Sequence, residues 1–113
     1  MLFNTVEQAV SCGRITDDIK ATNARRLNWV RHAEDLQRKI EDEERQIENL
    51  RQQIERTGDR ESFIGFIRNS EQEIRNLRRQ IAVAEDKARD EEDTLNDLLR
   101  DWQANECDGS VPS

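Results

Sequence analysis

The 113-residue chain carries 25 acidic and 18 basic side chains for a net charge of −7, and 38% of its residues are charged against 34% hydrophobic. So polar a chain cannot fill a large globular core, and four glycines with one proline are too few turn residues for a many-stranded β fold. The absence of tyrosine and the acidic balance oppose a base-stacking platform and direct nucleic-acid binding, which draws on Lys and Arg to release counterions.

The N-terminal stretch reads as a helix over about 2–12, with Leu2, Phe3, Val6, Ala9 and Val10 on one face and an expected end at Cys12-Gly13. It lacks a basic leader and is interrupted by Glu7, so it does not read as a signal peptide. No stretch approaches the ~20 apolar residues of a membrane span. A cytoplasmic location without membrane contact is the expectation.

A second helix is expected over about 16–57, opened by Thr16-Asp17-Asp18, which offers a cap and negative charge at the positive end of the helix dipole. From Ile15, steps of three and four residues run through Ile19, Thr22, Arg26, Trp29, Ala33, Leu36, Ile40, Glu43, Ile47 and Leu50 to Ile54. This is a heptad seam. A matching seam runs from Phe63 through Ile67, Ser70, Ile74, Leu77, Ile81, Ala84, Ala88, Glu91, Leu95 and Leu98 to Trp102, on a helix over about 60–105. Of the 24 seam positions 19 are apolar, where composition alone would place about 8, so the chain is ordered rather than disordered.

Between the seams, a turn over about 57–60 holds Gly58, suited to a left-handed helix end, and Asp59, suited to capping the next helix. A short turn makes the helices antiparallel. Folding back here sets Ile54 against Phe63, Leu50 against Ile67, Leu36 against Ile81, Trp29 against Ala88 and Arg26 against Glu91. The last is expected to be a register-setting ion pair. Glu43 and Ser70 find only isoleucines opposite, so the middle of the hairpin is expected either to be loosened or to pack against something else. The residues from 106 to 113 read as a frayed tail. The architecture expected is therefore all-α: a long antiparallel coiled-coil hairpin, with the short N-terminal helix docked at its open base.

Cys12 and Cys107 fall beyond the same open end and could bridge, but a cytoplasmic chain keeps its thiols reduced, so free cysteines are favoured. Two cysteines are also too few for a zinc site. His32 lies at the edge of the seam with no triad or metal partner nearby, and Glu41-Asp42-Glu43-Glu44 point in different directions around a helix. Without a phosphate-binding loop or a nucleophile elbow, no enzymatic activity, cofactor or metal is expected.

Two surfaces stand out. Near the turn, Phe63 and Ile67 serve the seam while Ile64 and Phe66 are surplus to it, beside the acids Asp59 and Glu61. Along the last helix, Asp86, Asp90, Glu92, Asp93 and Asp97 form an acidic line. Gly58-Asp59-Arg60-Glu61 resembles the acidic tip of the Gre transcript-cleavage factors, whose helical hairpin reaches into the secondary channel of RNA polymerase. The likeness stops at Ser62-Phe63-Ile64, where that family's tip continues differently.

The expected function is a non-enzymatic protein–protein interaction module that binds or regulates another protein and forms a homodimer. Self-association would cover Ile64, Phe66 and Val83. The alternatives are a small phage-type inhibitor, anti-CRISPR or anti-defence, blocking a basic nucleic-acid-binding surface by acidic mimicry, and an assembly chaperone or scaffold.

Overall fold

A computed structural model describes residues 5–107. Helix α1 spans Thr5–Thr57 and helix α2 spans Arg60–Ala104. The two pack against each other as a hairpin, and the described residues contain no strand.

The turn is built by local chemistry that the sequence supplies. Gly58 takes a φ of 71°, and its N–H donates to the Ile54 carbonyl at 2.7 Å, closing α1 with a left-handed residue. Thr57 Oγ1 donates to the Gln53 carbonyl at 2.7 Å and accepts from the Asp59 N–H at 3.1 Å. Asp59 then caps α2: its Oδ1 accepts from the Ser62 N–H at 3.2 Å and its Oδ2 from the Ser62 hydroxyl at 2.6 Å.

The separate N-terminal helix is not found. α1 passes unbroken through Cys12-Gly13, and the Thr16-Asp17-Asp18 cap signal lies inside it. A glycine within a helix costs about 0.5–1 kcal/mol relative to alanine. A break would instead leave the terminal N–H and C=O groups of two new helix ends to satisfy, and continuing through Gly13 is the smaller penalty. Leu2 and Phe3, on the apolar face expected of that helix, lie outside the described residues, as does the expected tail beyond Cys107.

The hairpin divides into two units. The turn unit, Val30–Glu85, holds the apolar core: Leu36, Ile40, Ile47, Ile67, Ile74 and Leu77 are buried together, with Leu50, Ile54 and Ile81 packed against them. All nine are seam residues. Ser70, one of the two faults in this stretch of the seam, is buried, and no buried side-chain polar atom among the described residues lacks a hydrogen bond.

The terminal unit comprises the residues up to Trp29 and those from Asp86 onward, and fewer of its described seam residues are buried. Ile15, Ile19, Trp29, Ala88, Leu95, Leu98 and Trp102 are only half-buried, while Cys12, Thr22 and Cys107 are buried. Thr22, at 1% exposure, accepts a hydrogen bond from Arg25 Nη2 at 3.1 Å.

The expected Arg26–Glu91 pair is replaced by its neighbour. Arg25 Nε reaches both Glu91 carboxylate oxygens, at 3.2 and 3.1 Å, while Arg26 turns back to Asn23 Oδ1. From one position outside the seam, Arg25 spans the rim and keeps its side chain 54% exposed. A guanidinium on the seam itself would have to give up its water.

Cys12 and Cys107 form a disulfide with a Cα–Cα distance of 5.6 Å, which corrects the expectation of reduced thiols. Because α1 is continuous, Cys12 extends its seam one step before Ile15. Past α2, the Asn105 N–H donates to Asp101 O, the Glu106 N–H to Gln103 O and the Cys107 N–H to Trp102 O, with Glu106 at a φ of 56°. This tight turn brings Cys107 back to α1, and Gln8 Nε2 donates to the Asn105 carbonyl at 2.9 Å beside the bridge.

Candidate functional site

The residues expected around the turn are brought together unequally. Phe63 is half-buried and Ile67 buried, as seam positions must be, while Phe66 on the outer side is 58% exposed. Ile64, one step past Phe63, is half-buried at the edge between the helices. Asp59 is spent on the cap, and the hydrogen bonds from the Ser62 hydroxyl and then the Ser62 N–H hold its carboxyl below the ordinary value of 3.8. Glu61 is exposed in the first turn of α2, where its charge suits the helix dipole.

Asp86, Asp90, Glu92, Asp93 and Asp97 are all exposed on the terminal unit's part of α2. Asp86 pairs with Arg89 at 3.1 Å and Asp97 with Arg100 at 3.2 Å, each three residues on. Asp90, Glu92 and Asp93 enter no ion pair among the described residues. Steps of four, three, four and four place Asp86, Asp90, Asp93, Asp97 and Asp101 on one helix face.

One surface was not legible along the sequence. On one side of the turn unit the two helices enclose a continuous groove with two recesses of about 470 and 480 Å³. Ile47, Ile64, Ile67 and Ile74 reach into it between Arg51, Arg60, Arg68, Arg75 and Arg78. Glu44, Glu55 and Glu71 are its carboxylates, so five cations face three anions in a chain that is acidic overall. The signal available in the sequence was the repeated arginine one place beyond the α2 seam residues, at Arg68, Arg75 and Arg78. Only the pairing with α1 turns that spacing into a groove.

No group of three or more His, Cys, Asp or Glu among the described residues is arranged to hold a metal ion, and no helix among them is long and apolar enough to cross a membrane. No family model matches the chain, and neither a curated protein nor a solved structure matches it.

Proposed function

We propose that the chain is a non-enzymatic protein–protein interaction module that binds or regulates another protein through its turn unit. The observation that carries this reading is Phe66, a large aromatic ring 58% exposed beside the half-buried Phe63 and Ile64. The core of the turn unit does not use it, and rings of this kind are common anchors at interfaces. A photo-crosslinking amino acid at position 66, compared with one at the exposed Gln52, tests the reading in cells of the source organism. One dominant partner captured at 66 and not at 52 supports it. Equal or no capture at the two positions refutes it.

A second reading is favoured by the single-face array of Asp86, Asp90, Asp93, Asp97 and Asp101: an inhibitor that mimics a polyanion on a basic surface. It predicts binding that heparin competes and salt weakens. The Cys12–Cys107 bridge counts for the first reading over this one, because an inhibitor working in the reducing cytoplasm would have no stable use of it. By the same reasoning, an oxidising compartment suits this chain better than the cytoplasm.

A further inference from the structure

We infer that the arginine-lined groove of the turn unit receives the aspartate face of α2 from a second copy of this chain. The inference rests on the reading as an interaction module and specifies one surface and its occupant.

Among the described residues no arginine of the groove has a carboxylate partner, whereas five of the ten arginines elsewhere do. Arg38, Arg45, Arg89 and Arg100 each pair with an aspartate three residues earlier, and Arg25 pairs with Glu91. None of Arg51, Arg60, Arg68, Arg75 and Arg78 forms an ion pair among the described residues, although Glu55 and Glu71 line the same groove. Arg75 donates only to the Gln72 side-chain oxygen, at 2.8 Å. Planar guanidinium groups are built to engage carboxylates with two parallel hydrogen bonds, and here they flank an isoleucine floor. A groove of this kind suits an amphipathic helix bearing acids.

The same chain carries such a helix face. At 1.5 Å of rise per residue, the α2 arginines from Arg60 to Arg78 extend over ~27 Å and the face from Asp86 to Asp101 over ~22 Å. The acidic face therefore fits within the length of the arginine row. Asp86 and Asp97 are held only by exposed pairs to Arg89 and Arg100, which are worth little and can be exchanged. Charge selects the pairing. Groove against groove opposes two cationic surfaces, and aspartate face against aspartate face opposes two anionic ones. Groove against aspartate face is the complementary combination. Such a contact joins unlike surfaces, so it either closes by reciprocal exchange between two copies or continues head to tail.

Analytical ultracentrifugation of the oxidised full chain at low and high salt tests the inference. The expected result is a mass above the monomer at low salt that falls to the monomer at high salt. The double variant R68E/R75E and the double variant D90R/D93R should each lose about a hundred-fold in association, and mixing them should restore a heterotypic assembly. Circular dichroism confirms that both remain helical, as expected for substitutions at exposed positions. A monomeric wild type at low salt, unchanged assembly of either variant, or a mixture that stays monomeric would each overturn the inference. Binding of heparin or an unrelated acidic peptide to a monomer would assign the groove another occupant and overturn it as well. The crosslink at position 66 is read separately, so the interaction-module reading can survive this failure or fail by itself.

Discussion

Opening the Cys12–Cys107 bridge is the perturbation with the largest expected effect outside the core. Its cysteines are 95 residues apart in sequence, and in the chain-entropy model a loop of this size restricts the unfolded ensemble by about 4.7 kcal/mol. With an unfolding entropy of about 2.1 cal/mol/K per residue, that loss lowers the midpoint of a cooperative transition by about 20 °C. The structure also says where the loss appears. Both cysteines belong to the terminal unit, whose seam residues are largely half-buried, whereas the buried apolar cluster lies in the turn unit. Thermal unfolding followed by circular dichroism should therefore show a much lower midpoint for the C12S/C107S variant, and hydrogen exchange should rise first in the terminal unit. Two titratable thiols per wild-type chain under denaturing, non-reducing conditions would refute the bridge. A midpoint shift of only a degree or two would refute the loop-closure reasoning even with the bridge present.

Gly13→Ala should stabilise the protein by about 0.5–1 kcal/mol, because Gly13 is helical and nothing lies within 4 Å of the added methyl group; destabilisation in denaturant titrations would restore a break there. A double-mutant cycle on Arg25 and Glu91 should give a coupling of about 0.5 kcal/mol, as expected of a partly exposed pair, and the same cycle on Arg26 and Glu91 should give none. Leu36→Ala removes a side chain that is 2% exposed in the turn-unit core and should cost about 2–5 kcal/mol by the same titrations. Asp59 is held below 3.8, so its capping contribution is fully present above that pH and fades as pH falls through its lower folded value. Asp59→Asn should therefore melt below wild type at neutral pH, with the gap closing in acid.

Short-range chemistry made one part of this fold readable from the residues alone. Heptad spacing marked the seam residues that pack together, from Leu36 and Ile40 to Ile74 and Leu77. Gly58 and Asp59 marked the turn, because a left-handed residue followed by a cap is a local requirement. The off-seam positions of Phe66 and of the α2 aspartates were also legible, since they follow from helical geometry, whereas the residues alone left open whether Phe66 covers the turn or stands exposed. Tertiary structure decided the rest. Gly13 resembles a helix end along the chain, but the continuous α1 carries Cys12 to the bridge with Cys107. The choice of Arg25 over Arg26 depends on which guanidinium can span the rim while remaining in water, a property of two packed helices that neither helix has alone. The groove of Arg51, Arg60, Arg68, Arg75 and Arg78 exists only where α1 lies beside α2, because its walls come from segments distant in sequence and its charge is the sum of both.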